Sequence, residues 1–452
     1  MQQPVYLLYS IALLVYFLVL LPVVAYKRLR HGRAVGRIAD RLGRVPDTIN
    51  PSYTRSIWIH AVSVGEVLAT RSLLHDLRRT YPDHRLLLST TTTTGQEVAA
   101  QLGDAVDGVF YAPLDLPLFI ARSLDRIAPD LVIFVDTEIW PNWLRGCQRR
   151  GVRTVIVDGR ISDRSFRGYR LGRPLMRRVL GDLDHVCAQT ETWGDRFVDL
   201  GLPLDRLSVT GSLKFDALDV ISTGADLHVG DRALRLFSFT EGRPVLVAAS
   251  TLRGEEGPVL RAFKRLRESA SDAVLILAPR HPERAEEARS IATRDGFDVA
   301  MRTSLSVETS RAPDVVIVDT VGELPRLFQL ATLVFVGGSL VPAGGHNILE
   351  PAVFGKAIVF GPHMNNFREI ANLFVDRSAA LQVSSAAALS DTLNALLGDP
   401  VRRAGLGAAA RALVDANKGA RFKTLKVIAD ILPIGARGRE REIHNAAGRT
   451  VE

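Results

Sequence analysis

The chain has 452 residues, 47% hydrophobic and 23% charged, which is enough for two compact domains with separate cores and too apolar for a disordered chain. Its formal net charge of +8 favours an anionic partner, whether nucleic acid, acidic lipid or a phosphorylated substrate. Two cysteines, Cys147 and Cys187, exclude a disulfide framework and a cysteine-based metal site, and a reducing compartment fits best.

The first element is apolar. Val5 to Tyr26 carries no charge and as a helix would reach roughly 33 Å, the depth of a bilayer. Lys27, Arg28, Arg30, His31 and Arg33 follow at once, so the positive-inside rule predicts a single-pass anchor with the rest of the chain in the cytoplasm, and the same cluster would attract anionic headgroups. A cleaved signal peptide is the alternative, but the basic n-region is missing and the apolar run is too long.

Behind the anchor, short β-branched runs alternate with amphipathic stretches of helical length. Strands are predicted at Ser56 to Val62, Arg85 to Thr91, Gly108 to Ala112, Leu131 to Asp136, Thr154 to Asp158, His185 to Gln189 and Leu207 to Thr210. Most are continuous apolar runs, as parallel strands buried on both faces require. The rhythm lapses over 216–243, an expected linker, and restarts with Val245 to Ala249, Ala273 to Ala278, Val315 to Asp319, Leu333 to Val336 and Ala357 to Phe360. The chain therefore reads as α/β: an anchor and basic flank (1–33), a Rossmann-like domain (34–215), the linker, a second Rossmann-like domain with C-terminal helices (244–436) and a charged tail (437–452). Two such domains predict a cleft with ligands at the strand ends.

Several strand ends carry candidate chemistry. In Trp58-Ile59-His60-Ala61-Val62-Ser63-Val64-Gly65-Glu66, Glu66 opens a helix at capping-box distance from Ser63. It is either a cap or a base with open space beside Gly65. Asp136-Thr137-Glu138-Ile139-Trp140-Pro141-Asn142 places two acids beside an aromatic ring, a sugar-binding combination or a capped turn before a helix opened by proline. Ser89 to Thr94 is a hydroxyl-rich turn, and Lys214 follows the last strand of the first domain as a possible fixed cation. In the second domain Arg280 tips a strand, Val321-Gly322-Glu323 ends another, and Gly337-Gly338 and Gly344-Gly345 precede Asn347-Ile348-Leu349-Glu350. Glycine pairs let backbone amides approach a phosphate, and Glu350 can accept from ribose hydroxyls. The alternative is that Asn347 caps and Glu350 closes the box.

Taken in order, WIHAVSVGE, DTEIWPN, GSLKFD, APRHPER, VGEL and GGSLVPAGGHNILEP resemble the transferases that move Kdo (3-deoxy-D-manno-octulosonic acid) in lipopolysaccharide synthesis, over nearly the whole chain to about residue 430. The resemblance implies a GT-B fold, a CMP-Kdo donor, a tetraacyl lipid A precursor as acceptor, inversion, a place at the inner membrane, no nucleic acid, and neither metal nor cofactor. It implies Glu66 as general base, Glu138 and Lys214 as transition-state stabilisers, and Pro279, Arg280, Val321, Gly322, Glu323, Asn347, Ile348, Leu349 and Glu350 as the CMP site. Two departures stand out: Asp136 where the family usually has Glu, and Asp158-Gly159-Arg160 where it usually has Asn-Ala-Arg. A transferase or epimerase using another sugar nucleotide, or a tethered binding paralogue, are the competing readings.

Overall fold

The computed structural model of the protein describes residues 4–31, 37–218, 234–306 and 312–434. The side chains of the basic cluster at 27–33, most of the expected linker and the tail at 437–452 lie outside the described residues. The chain divides into two compact units, one holding residues up to Ala217 together with those from Lys418 onward, the other Leu218–Asn417.

In the first unit seven parallel strands, β1 (Ser56–His60), β2 (Arg85–Thr90), β3 (Gly108–Tyr111), β4 (Leu131–Val135), β5 (Arg153–Gly159), β6 (His185–Ala188) and β7 (Leu207–Val209), run in the order β3-β2-β1-β4-β5-β6-β7. Successive side chains of a strand point to opposite faces. Ile57, Ile59, Leu86, Leu88, Ile133 and Val155 therefore fill one layer, while Trp58, Leu87, Val132, Phe134 and Ile156 fill the other. Both faces are covered by helices, so the strands read as unbroken apolar runs. The chain reverses its winding between β1 and β4, and ligands of doubly wound sheets bind outside the carboxyl ends at that switch point.

The second unit repeats the design with β8 (Val245–Thr251), β9 (Val274–Pro279), β10 (Val299–Met301), β11 (Val315–Ile317), β12 (Leu333–Val336), β13 (Ala357–Phe360) and β14 (Leu381–Gln382), ordered β10-β11-β9-β8-β12-β13-β14. Its switch point lies between β8 and β12. The edge strands β10 and β14 escaped the sequence reading because one is three half-buried residues and the other spans two, neither giving the apolar run of a central strand.

Two expectations change. A helix does form over Pro4–His31, but among the described residues no helix is long and apolar enough to cross a membrane, which leaves the expected single-pass anchor unsupported. Its first turns are instead packed on the first unit: the Tyr6 hydroxyl donates to Asp182 at 2.6 Å, that of Tyr9 to Asp115 at 3.0 Å, and that of Ser10 to Asn142 at 3.1 Å. Leu7, Leu8, Ile11, Val15 and Val19 stay exposed.

The C-terminal helix Ala420–Ile431, expected with the second domain, belongs to the first unit. Ala420, Ile428 and Leu432 enter the core layer of Ile57 and Ile59, and the Tyr81 hydroxyl donates to the Leu432 carbonyl at 2.8 Å. The Asp216 carboxylate accepts from the amides of Gly419 and Arg421, each at 2.7 Å, and so caps this helix. All four tryptophans, Trp58, Trp140, Trp143 and Trp193, lie in the first unit, so their fluorescence reports its unfolding alone. Ile428→Ala is expected to lower the stability read by that signal in denaturant by about 2–5 kcal/mol, the usual cost of a core cavity. An unmoved fluorescence transition would return the helix to the second unit.

Candidate active site

The end of β1 leads through Ala61 and Val62 into the helix Val64–Thr80, with Ser63 extended at its N-cap. Ser63 leaves the helix amides alone; its hydroxyl donates to Glu66 Oε1 at 2.7 Å, while the Val62 amide donates to Glu66 Oε2 at 2.6 Å. Glu66 thus reaches back past the N-cap amide to the residue before it, a departure from the capping box, and its carboxylate is held rather than loose. Burial raises its proton affinity; the bonds from Ser63 and Val62 oppose this, Asp136 adds to it, and Arg160 opposes it. A side chain added at Gly65 would meet nothing within 4 Å, so the approach beside Glu66 is open.

At the end of β4, Asp136 takes a left-handed backbone with φ 67°, tolerable for Asp, and turns its carboxylate onto Arg160, whose Nε lies 2.8 and 2.9 Å from the two oxygens. Thr137 donates to Asp136 Oδ1 at 2.8 Å. Glu138 accepts from Trp140 Nε1 at 2.7 Å and lies 3.9 Å from His60 Nε2. Burial, then the charge of Glu66, pushes Glu138 up to about 8, with the Trp140 bond opposing and Asp136 reinforcing.

At the end of β5 the Asp158 backbone is also left-handed, with φ 55°, and its carboxylate accepts from the Leu213 amide at 2.9 Å. Burial lifts Asp158 to about 6, with Lys214 the largest opposing influence. Glu66, Glu138 and Lys214 therefore meet in one electrostatic cluster with Asp136, Asp158 and Arg160. The two departures from the family pattern are neighbours in it, since Asp136 raises the proton affinity of Asp158 and pairs with Arg160. Sequence reading gave no role to Arg160 or His60; the signal was their place at the ends of β5 and β1.

In the second unit the sequence-predicted residues fall at the ends of β9, β11 and β12. Pro279 is buried at the end of β9 and Arg280 is exposed, with its amide donating to the Thr251 carbonyl at 2.9 Å. Arg280 lowers the proton affinity of both His346, to about 4 with burial the larger cause, and Glu350, where burial raises it and the Asn347 bond opposes more strongly than Arg280. Those three side chains thus share one place. Asn347 accepts from the Leu349 amide at 3.0 Å and donates its side-chain N–H to Glu350 at 3.1 Å, while Ile348 holds the N-cap, so the two side chains are tied to each other without closing a capping box. Ile348 and Leu349 are buried, and Val321 is exposed beside Gly322. The Glu323 carboxylate is taken by Arg302 and by Thr320 at 2.6 Å, so it shapes its loop.

The first glycine pair does not offer its amides to a phosphate, contrary to expectation. The fully buried Glu255 accepts from the amides of Gly338 (2.6 Å), Ser339 (3.0 Å), Leu340 (2.9 Å) and Leu252 (2.8 Å). At Gly337 a Cβ would stand 2.6 Å from the Ser250 carbonyl oxygen, so this glycine answers to close backbone packing. Among the described residues no group of three or more His, Cys, Asp or Glu is placed to hold a metal ion.

Two doubly wound sheets in succession, with an acid cluster at one switch point and an arginine beside a glycine-rich loop at the other, define an α/β protein of two Rossmann-like units. UDP-GlcNAc 2-epimerase from Neisseria meningitidis shares this fold with a TM-score of 0.58, covering 83% of this chain and 100% of that one; at 13% identity the likeness is one of fold alone. The family model described as 3-Deoxy-D-manno-octulosonic-acid transferase (kdotransferase) matches residues 36–217. The 3-deoxy-D-manno-octulosonic acid transferase of Haemophilus influenzae is 34% identical over 87% of this chain and 90% of its own, and that of Bordetella pertussis 35% identical over 87% and 91%. The chain belongs to the Kdo transferase family of glycosyltransferases.

Removing the Glu255 carboxylate strands four amides, and a buried unpaired amide costs about 1–3 kcal/mol. In Glu255→Ala the amide protons of Gly338, Ser339 and Leu340 are expected to exchange with solvent at least roughly 10-fold faster than in the wild type. Unchanged exchange at these amides would show that the loop holds itself.

Proposed function

We propose that the protein transfers Kdo from CMP-Kdo to a lipid A precursor, with inversion at the anomeric carbon and without a metal ion. The observation that carries this reading is the pairing of Glu66, in open space beside Gly65, with Glu138 and Lys214 in one cluster. In the step proposed, the acceptor hydroxyl oxygen bonds to the anomeric carbon as the bond from that carbon to the phosphate oxygen of CMP breaks. The hydroxyl proton passes to Glu66, and CMP leaves with the bonding electrons. Burial suits Glu66 to the task, because a carboxylate with raised proton affinity is a better base near neutral pH.

Glu138, protonated up to about 8, would donate a hydrogen bond to an oxygen on which negative charge grows, and Lys214 would oppose the negative charge of the donor. In the second unit the exposed Arg280 would hold the CMP phosphate, with Pro279, Val321, Gly322, Glu323 and Asn347 to Glu350 completing the nucleotide site. For Glu323 the proposed part is through its loop, given its bonds to Arg302 and Thr320. Work at a membrane surface, on the cytoplasmic side of the inner membrane, is part of the same proposal. The exposed apolar side chains of the helix Pro4–His31 and the basic residues after its apolar run support it.

The test is product formation from CMP-Kdo and tetraacyl lipid A precursor in the presence of EDTA, with sugars on the lipid counted by mass spectrometry. Wild type is expected to transfer, and Glu66→Ala to be slower by about 10²–10⁴-fold, the range for loss of a general base. A well-folded wild type that forms no product, or a Glu66→Ala variant of undiminished rate, would contradict the proposal.

A further inference from the structure

His60 closes β1 with no exposed surface, boxed by the rings of Trp143, Trp140 and Phe134 with centroids 5.0, 6.2 and 6.3 Å away. Burial presses its proton affinity down to about 4, so the ring is neutral and carries one N–H. Both oxygens of Ser89 lie at Nδ1: Oγ, which accepts from Trp58 Nε1 at 2.8 Å, stands 3.0 Å away, and the carbonyl, which accepts the Ala61 amide at 3.0 Å, stands 3.3 Å away. Each oxygen has a second lone pair and the hydroxyl one hydrogen, so Nδ1 can accept from Oγ or donate to either oxygen. The other ring nitrogen is Nε2. That atom is buried, has no hydrogen-bond partner among the described residues, and faces Glu138 Oε2 at 3.9 Å.

We propose that His60 accepts the Ser89 hydroxyl hydrogen at Nδ1, carries its proton on Nε2 and is a positioning residue for Glu138, its Nε2–H closing onto Oε2 and, with Trp140 Nε1, fixing the direction of the carboxyl group so that Oε1 carries its proton. The donor comes from the floor of the sheet, from a ring whose Nδ1 rests against Ser89. Catalytic hydrogen bonds are often long in the free protein and close only on binding, and about 1 Å separates this pair from contact distance. The other charged and titratable groups facing Glu138 are Glu66 and Asp136, which repel its charge, and Tyr169, whose own proton affinity Glu138 raises. Arg160 is engaged with Asp136. The N–H of His60 is therefore a second donor, beside Trp140 Nε1, for the same carboxyl group. The inference rests on the reading of Glu138 as a group that stabilises transfer.

The test joins a spectroscopic and a kinetic measurement on the full chain. With ¹⁵N-labelled histidine, the resonance lost in His60→Gln identifies His60. It is expected to show Nε2 protonated and Nδ1 bare, and the Nε2 signal is expected to move as Glu138 titrates and to stop moving in Glu138→Gln. In the transfer assay His60→Gln, which keeps an N–H at similar reach, should retain most of kcat. His60→Phe keeps the ring and loses the donor, and should lose kcat by roughly 100-fold with KM little changed, the scale of a misplaced reacting group. A proton on Nδ1, a signal indifferent to Glu138, or a His60→Phe variant as active as His60→Gln would each overturn the inference. If wild type transfers no Kdo, the proposed reaction fails, while the ¹⁵N signature still decides whether His60 holds Glu138.

Discussion

Buried Asp136 and Asp158 and half-buried Glu66 and Glu138 are gathered at the carboxyl ends of β1, β4 and β5, and the site in the first unit is the solution to that crowding. Like charges in a desolvated place repel more strongly than at a surface. Two cations answer them, Arg160 clamping Asp136 and Lys214 lying toward Asp158. Glu66 and Glu138 are left to share the balance, and Glu138, held by one indole N–H, keeps its proton to about 8. Two carboxyl groups driven apart in proton affinity by their surroundings are what acid–base chemistry near neutral pH uses.

The fold holds these acids still by means that have nothing to do with charge. Paired parallel strands fix where each chain leaves the sheet, and left-handed turns at Asp136 and Asp158 send the backbone off at once, leaving the carboxylates at the strand ends. Asp158 holds the Leu213 amide and Asp216 holds the helix Ala420–Ile431, so Lys214 stands between two anchored points. The last helix among the described residues therefore steadies a residue more than two hundred positions earlier.

Much of this was legible in the sequence. Unbroken runs such as Leu131 to Val135 announced buried parallel strands, and the places of Glu66 and Glu138 just beyond such runs were legible, whereas the roles of both, and of Lys214 after the half-buried strand β7, came from the resemblance and stand as proposals. What escaped reading has physical causes. The helix Ala420–Ile431 carries an ordinary amphipathic pattern, which says that it packs but not on which unit. Uncharged length over Val5 to Tyr26 suggested a span, while Tyr6, Tyr9 and Ser10 spend their hydroxyls on the domain. Glycine pairs at 337–338 and 344–345 suggested free amides. Glu255, which takes three of the amides in that loop, lies more than eighty residues away and has no local signature. Tautomers are equally silent in a sequence: His60 acquires its role only when Trp58 and Ser89 come to lie beside it.

The claim at the centre of this account is that burial and the charge of Glu66 hold a proton on Glu138 through neutral pH. Carboxyl ¹³C resonances of labelled glutamate, followed through a pH titration of the whole protein, measure it directly. The account predicts one glutamate with its midpoint near 8, far above the ordinary value of about 4.3, absent in Glu138→Gln and lowered in Glu66→Gln. A titration in which every glutamate falls in the ordinary range, or in which the elevated one survives Glu138→Gln, would contradict it.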